Sequence, residues 1–229
     1  MVYSAIYDPN EFIASFGDKD ELVSSLDIPR NYNSTLIAVV IAAKVFILPY
    51  FLFTPSLISV ILSADSFAGE KERKTMESLA LLPVSKKELV VGKVLSVFIP
   101  AILLSFIFFA ILCVEINLLA FRYLDGNILI ITDLTFVLAI FILTPVFTFF
   151  NILVTIIVSS RSKNFKNAQT VSGLLIMPVL IIIFTQIFNP TFLSPVTIII
   201  FSLFLGGLCV IILEFGYRYL SIEKLILVH

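Results

Sequence analysis

Five long apolar segments dominate the sequence and restrict the choice of fold. A transmembrane helix needs about 20 predominantly apolar residues, and each segment is close to that length or longer. Apolar residues make up 59% of the chain and the mean hydropathy is +1.10, well above an ordinary soluble domain. The sequence predicts an all-α, polytopic integral membrane protein with about five transmembrane helices. The segments are Leu36–Ser63, Lys93–Val114, Leu134–Val158, Thr170–Phe188 and Val196–Tyr217.

The Lys and Arg residues are distributed unevenly between the two sides of these segments. Cytoplasmic loops carry an excess of Lys and Arg, and eleven such residues lie on one side against three on the other. We therefore expect residues 64–92 and the C-terminus in the cytoplasm and the N-terminus outside. Residues 1–35 then form an acidic, mostly polar extracytoplasmic arm, and residues 36–229 form the transmembrane domain. The larger set is Lys71, Arg73, Lys74, Lys86, Lys87, Lys93, Arg161, Lys163, Lys166, Arg218 and Lys224; the smaller is Lys19, Arg30 and Arg122.

The first apolar segment contains one charged residue, Lys44. It lies 21 residues before Asp65, which is about 30 Å of helix, or one bilayer core. We expect its ammonium group to snorkel to the outer interface, leaving Leu36–Ala43 to protrude or to pack on another helix. Prolines predict kinks in four of the five segments; they are Pro49, Pro55, Pro100, Pro145 and Pro178.

One strongly charged stretch, Asp65–Lys93, joins the first two apolar segments. Gly69 is expected to end the first span, and Glu70–Leu82 has the composition of a short cytoplasmic helix that Pro83 terminates. Its six charges sum to zero, which suits a protein surface better than nucleic acid or anionic lipid, because phosphates need an excess of cations. Opposite charges stand four residues apart, a spacing that stabilises helices. These pairs are Glu70 with Lys74 and Arg73 with Glu77.

A second helix start follows within the same stretch. Ser85 and Glu88 have the spacing of a capping box, and Val84 and Leu89 occupy the positions of a hydrophobic staple. We therefore expect a helix to start at Lys86 and to enter the membrane. Two helices joined so rigidly can transmit a movement on the cytoplasmic side to two transmembrane spans. The simpler interpretation is a structured loop that only holds the spans together, and these motifs do not decide between the two.

The charged stretch resembles the signature loop of type-2 ABC transporter permeases, the membrane subunits of bacterial and archaeal export systems. A second stretch, "IIVSSRSKNFKNAQ", is similar to a short cytoplasmic turn of that family, and the tail around Glu223–Leu225 resembles it more weakly. The first match is carried by Asp65, Phe67, Ala68, Gly69, Glu70, Lys71, Glu72, Arg73, Lys74, Thr75, Glu77, Leu79, Pro83, Val84, Ser85, Glu88, Leu89, Gly92 and Lys93, and the second by Ser159, Ser160, Arg161, Lys163, Ala168 and Gln169.

The resemblance implies a permease of the plasma membrane that exports a substrate. Such a chain pairs with a second permease copy or a related permease, and it binds cytoplasmic ABC ATPase subunits through the loop. The family usually has six spans and a cytoplasmic N-terminus, so we expect a sixth span before Met1 or in another chain. The residues that the resemblance places at the ATPase, or in the loop that carries it, are Asp65, Glu70, Glu72, Arg73, Thr75, Glu77, Ser85, Glu88 and Lys93.

No catalytic machinery is evident in the sequence. A phosphate-binding P-loop would need Gly where Lys87 stands and Ser or Thr where Val94 stands, so ATP hydrolysis is expected on a partner chain. The single histidine is His229, and we expect no enzyme activity, cofactor or metal site. Cys113 and Cys209 lie in apolar runs and are interpreted as small hydrophobic residues. The alternatives are an ion-coupled secondary transporter, which normally shows acids or broken helices at mid-bilayer in paired repeats, and a non-transporting scaffold.

A polar stripe follows one face of the third apolar segment. Its members stand at i, i+4, i+7 and i+11, which places them on one side of a helix. Such side chains commonly form hydrogen bonds between helices, and we favour that role over the lining of a transport path. Near the chain end, Glu214 and Arg218 are expected to form an ion pair. The polar stripe comprises Thr144, Thr148, Asn151 and Thr155.

Overall fold

The protein is helical throughout the part that the computed structural model describes, namely residues 2–29, 31–75, 86–121, 129–162 and 165–219. Side chains are described over these ranges apart from 2–4, 86–87, 160–161 and 215–219. Within them, five helices are long and apolar enough to cross a membrane, which confirms the predicted all-α polytopic fold. The spans are Ser34–Glu72, Glu88–Leu119, Leu134–Ser159, Phe165–Phe188 and Pro195–Glu214.

The helices are numbered here in chain order. Three short helices precede the first span, and several spans contain a π-helical or 3-10 turn. The α-helices are α1 (Val2–Tyr7), α2 (Pro9–Ala14), α3 (Lys19–Ser25), α4 (Ser34–Ala42), α5 (Leu48–Ala64), α6 (Glu70–Glu72), α7 (Lys86–Leu119), α8 (Leu134–Leu138), α9 (Thr144–Arg161), α10 (Phe165–Gly173), α11 (Met177–Phe188) and α12 (Pro195–Tyr219); the π-helices are Ala43–Ile47, Asp65–Gly69 and Ala139–Leu143, and the 3-10 turn is Leu174–Ile176.

The N-terminal arm, expected from the sequence to be acidic and mostly polar, forms three short helices. Its apolar residues pack on α4, so that they join one buried cluster. The side chain of Asp18 caps α3 by accepting from the backbone N–H groups of Asp20 and Glu21. The acidic residues of the arm stand between these apolar positions in the sequence. The buried cluster includes Ala5, Phe12, Ile13, Leu22, Val23, Leu26, Ile28, Ile37, Ala38, Ile41, Ala42 and Val45.

The chain divides into two compact units. Unit 1 contains the described residues of Met1–Phe53, Ser105–Leu143 and Pro178–Phe201. Unit 2 contains those of Thr54–Leu104, Thr144–Met177 and Ser202–His229. The charged stretch and the polar stripe therefore both belong to unit 2, whereas the arm and Lys44 belong to unit 1.

Three of the prolines inside the spans sit just after a turn that departs from α-helical geometry. Pro49 and Pro145 are the second residues of α5 and α9 and follow π-helices, and Pro178 is the second residue of α11 and follows the 3-10 turn. Proline cannot donate a backbone hydrogen bond and its ring clashes with the carbonyl four residues earlier. The π-helical or 3-10 turn before each proline moves the carbonyl that its ring would otherwise meet. It also places the proline in the first turn of the next α-helix, where a missing N–H costs little stability.

Apolar contacts in unit 2 fix the position of the charged stretch. Phe67 is buried against Val97, Ile152 and Ile156. Ala64, Ala68 and Ala168 form a second small cluster beneath Phe165. The residues around Gly69 are thus anchored on α7, α9 and α10 by packing, independently of their charges.

Candidate functional site

The helix predicted over Glu70–Leu82 is interrupted. The π-helix Asp65–Gly69 continues the first span without a break into α6, which ends at Glu72, so Gly69 does not separate two helices. A turn follows, in which Lys74 has φ of 58° and its N–H donates to the carbonyl of Lys71 at 3.2 Å. A left-handed residue just after a helix is a common stop signal. Residues 76–85 lie outside the described part, so the remainder of that prediction stays open.

Arg73 pairs with Asp65 across the π-helix. Arg73 Nη1 and Asp65 Oδ1 are 2.9 Å apart, and both side chains are about half exposed. The hydrogen bond and the charge of Asp65 raise the pKa of Arg73 above its ordinary value. The predicted partner, Glu77, lies outside the described residues. The pair closes over Gly69, because no side chain stands between the two groups there.

Glu70 pairs with Lys93 and not, as predicted, with Lys74. The turn at Lys74 carries that residue away, while Lys93 on α7 is buried and reaches Glu70 directly. Lys93 Nζ also donates to the carbonyl of Ser66 at 2.9 Å and lies 5.1 Å from the centre of the Phe67 ring. At the end of the π-helix the backbone N–H of Glu70 reaches the carbonyls of Asp65 and Phe67, and the carbonyl of Ser66 between them accepts from Lys93.

Glu72 connects the charged stretch with the start of α10. Its Oε2 accepts the backbone N–H of Phe165, the first residue of α10, at 2.8 Å. A carboxylate at a helix N-terminus satisfies an unpaired N–H group and interacts favourably with the helix dipole. Three predicted residues, Glu70, Glu72 and Lys93, thus tie α6 to α7 and α10 within unit 2.

The remaining residues predicted in the loop are only partly described. The hydroxyl of Thr75 donates to the carbonyl of Glu70 at 3.1 Å, which adds a bond at the end of α6. Glu88 is exposed near the start of the described part of α7. Ser85 and Glu77 lie outside the described residues, so the capping box of Ser85 and Glu88 stays a prediction.

All four residues of the polar stripe are fully buried in unit 2. The amide Nδ2 of Asn151 donates to the hydroxyl of Ser56 at 3.1 Å. Among the described residues, Thr148 Oγ1, Thr155 Oγ1 and Asn151 Oδ1 have no hydrogen-bond partner. Asn151 thus forms a hydrogen bond between helices, the role that the sequence favours for the stripe. Sequence reasoning missed the opposing serines of α5, although their spacing was visible: Ser56, Ser59 and Ser63, all buried.

Lys44 is buried, so the expectation that it snorkels to an interface is wrong. Its Nζ lies 2.6 Å from Asp133 Oδ2 and donates to the carbonyl of Leu26 at 2.6 Å. The folded arm supplies the carbonyl of Leu26, and this acceptor was invisible when the arm was taken as polar chain. Asp133 also caps α8 through its Oδ1, which accepts from Thr135 N–H at 2.9 Å.

Gln186 completes a polar cluster in unit 1. Its Nε2 donates to the carbonyls of Lys44 at 3.1 Å and Pro190 at 2.7 Å, and its Oε1 accepts from Leu193 N–H at 2.9 Å. In the π-helix the N–H of Leu48 reaches the carbonyl of Ala43, and the next donor in that register would be Pro49, which has none. Gln186 therefore supplies the hydrogen bond that Pro49 cannot give to the carbonyl of Lys44.

Comparisons with known proteins give one finding that covers most of the chain. The family model described as "ABC-2 family transporter protein" matches residues 4–203. The matched range includes the folded arm, the charged stretch and the polar stripe. No curated protein and no solved structure matches the chain.

Proposed function

Because the chain belongs to the ABC-2 transporter family and is a membrane-embedded subunit of an ABC transporter, we propose that its charged stretch docks on a separate ATPase subunit. ATP hydrolysis takes place on that partner, and the transporter moves its substrate outward. The functional unit contains a second permease copy or a related permease in the same plasma membrane. In this arrangement the charged stretch faces the cytoplasm and the N-terminal arm faces outward.

The observation that carries this proposal is the bracing of the charged stretch. Glu70 is tied to Lys93 on α7, and Glu72 is tied to the first residue of α10. A force applied to α6 from outside the chain would therefore reach α7 and α10 through short contacts. A free loop would absorb the same force by bending, so the bracing fits a coupling element better than a passive connection.

Exposed charges remain available to a partner after these internal contacts are made. Lys71 and Lys74 form no ion pair among the described residues, and Arg73 is about half exposed although it pairs with Asp65. Charge complementarity at an interface mainly supplies specificity and association rate. We expect acidic groups of the ATPase to face these side chains.

The apolar surface of α7 fits contact with lipid or with a second permease. Its side chains follow one another at helical spacing and remain exposed along most of the helix. In water such a surface would aggregate, whereas in a bilayer it needs no cover. The exposed residues include Val91, Leu95, Ile99, Leu103, Ile107, Ile111, Val114 and Leu118.

Copurification with a candidate ABC ATPase from the same genome tests the docking proposal. Lys71→Glu and Arg73→Glu should each weaken recovery of the ATPase about tenfold, the loss expected for one charged contact. Lys19→Glu, the same charge change on the arm, should leave recovery unchanged, and all three variants should insert in the membrane normally. Unchanged recovery with both variants of the charged stretch would refute the docking.

Thiol labelling tests the proposed orientation separately. A cysteine introduced at Asp20 should react with an impermeant reagent in intact cells. A cysteine introduced at Lys166 should react only after the membrane is opened. The reverse pattern would place the charged stretch outside the cell and would end the coupling proposal.

A further inference from the structure

We propose that a cavity in unit 1 is a binding site for a small organic cation with an apolar body. The cavity has a volume of about 180 Å³. The end of the N-terminal arm, the first span around Lys44 and the residues that precede the third span all line it. This site is independent of the charged stretch and of the ATPase docking proposed above.

A buried ion pair at the cavity wall argues that the space is a built site. Lys44 and Asp133 both line the cavity, and the Lys44 side chain is only 4% exposed. A buried ion pair contributes little stability compared with apolar residues of similar volume, so packing alone does not explain it. The ammonium group has three N–H donors, and two of them are used, by Leu26 and Asp133. The third has no acceptor among the described residues and is available to a ligand.

Backbone strain occurs at the same cavity. Ile130, with φ of 74°, lines it; Asp27, with φ of 55°, also lines it but ends α3 in the ordinary way, since the N–H of Ile28 donates to the carbonyl of Val23 at 2.9 Å. The left-handed conformation is unusual for a β-branched residue such as Ile130. Strain of this kind persists where the surrounding structure holds a functional geometry in place. Ile130 lines the same space as the buried charge pair, which is consistent with a preformed site.

The charge balance of the cavity selects a cation. Lys44 and Asp133 neutralise each other, which leaves the carboxylate of Asp27 without an ion-pair partner among the described residues. The arm that carries Asp27 has an acidic excess, and such a field raises the local concentration of cations. A ligand ammonium group would lie near the two carboxylates that line the cavity, Asp27 and Asp133.

The remaining wall of the cavity selects an apolar body of limited size. Apolar side chains contribute much of the lining. A cavity of about 150 Å³ with an apolar lining can hold benzene, so this volume suits one ring with a short aminomethyl group. Benzylamine therefore has the right charge and size to probe the site. The apolar lining residues include Val39, Val40, Ile116, Leu129 and Phe136.

Titration calorimetry on the purified full-length protein in detergent tests the site with three compounds of nearly equal shape. Benzylamine is cationic, benzyl alcohol is neutral and benzoate is anionic. We expect saturable binding of benzylamine that is at least about tenfold tighter than binding of the other two. Asp27→Asn should weaken benzylamine binding about tenfold, and Asn keeps the left-handed backbone because it tolerates positive φ. Glu21→Gln, which removes an exposed acid of the same arm outside the cavity, should have no effect.

Each other outcome contradicts the assignment. Equal binding of benzyl alcohol would show an apolar site without charge recognition. Preferred binding of benzoate would assign the site to anions held by Lys44. Absence of saturable binding, or equal binding by the Asp27→Asn and parent proteins, would refute the cation site. Circular dichroism and gel filtration of Asp27→Asn ensure that a loss of binding does not reflect a loss of fold.

Discussion

A Cβ atom on Gly69 would lie 2.5 Å from Oδ1 of Asp65. The same atom would lie 3.2 and 3.3 Å from the two terminal nitrogens of Arg73. No real Cβ atom approaches an oxygen so closely, so a side chain at this position would force the Asp65–Arg73 pair apart. Glycine therefore leaves room for the ion pair that passes over it, and backbone conformation does not call for it.

Gly69→Ala should accordingly break the Asp65–Arg73 pair and weaken ATPase recovery. Because solvent screens the exposed pair, it contributes little to the stability of the fold, so membrane insertion should be unaffected. Gly92→Ala is the matched control, because a Cβ atom there meets nothing within 4 Å and alanine favours the helix by about 0.5–1 kcal/mol. Equal ATPase recovery for the two variants would show that the pair has no part in docking.

Glu72→Ala should loosen the start of α10. It removes the side-chain acceptor of Phe165 N–H, and loss of a helix cap typically costs about 1 kcal/mol. Hydrogen exchange of the amides of residues 165–168 should become faster. Glu21→Ala serves as the control, since its side chain accepts no hydrogen bond from α10. Unchanged hydrogen exchange in the Glu72 variant would mean that the contact does not stabilise the start of α10.

The five spans could be predicted because the bilayer fixes their length and composition, and little else in the chain meets that requirement. The ion-pair partners of the charged residues could not be predicted from the sequence. Local spacing favours Glu70 with Lys74, but the left-handed turn at Lys74 removes it and the real partner, Lys93, is 23 residues further along the chain. Such a pairing depends on the packing of α7, which the sequence pattern does not specify.

The environment of Lys44 was unpredictable for a related reason. The snorkelling rule assumes that lipid and water are the only surroundings of a charged residue in a span. Here the arm covers Lys44, and its ion-pair partner, Asp133, lies 89 positions later in the chain. The polar stripe was visible from its helical spacing. Its hydrogen-bonding partner Ser56 could not be predicted, because the bond depends on the packing of α5 against α9 within unit 2.

Substitutions in the polar stripe should separate bonded from unbonded groups. Thr148→Val and Thr155→Val should leave the melting midpoint unchanged or raise it, because each removes a buried hydroxyl without a partner among the described residues and keeps the shape. Asn151→Leu should lower it, since the bond to Ser56 is lost. Thermal unfolding in detergent measures all three. A clear loss of stability in both valine variants would indicate that the hydroxyls bind water or a ligand.

Gln186→Leu should destabilise unit 1, because it leaves the carbonyl of Lys44 without its donor. Loss of a partner to a buried polar group costs about 1–3 kcal/mol. Pro49→Ala restores a backbone N–H beside that carbonyl, so Gln186→Leu should cost less in the Pro49→Ala background. A double-mutant cycle of melting midpoints measures this difference. Strict additivity of the two substitutions would contradict the compensation of Pro49 by Gln186.

Lys44→Met should be the most damaging of these substitutions. It leaves the carboxylate of Asp133 only 20% exposed and without its partner. Removing one member of a buried pair costs about 3 kcal/mol, which lowers the melting midpoint by about 6–12 °C in a chain of this length. The double variant, with Asp133→Asn added to Lys44→Met, should recover part of the lost stability. The unpaired charge disappears, while the amide oxygen of the new side chain can still cap α8. Lys19→Met is the control, since that exposed lysine donates only to the hydroxyl of Ser34. If Lys44→Met melts like the control, or if the double variant is less stable than Lys44→Met alone, the pair does not hold the arm on the first span.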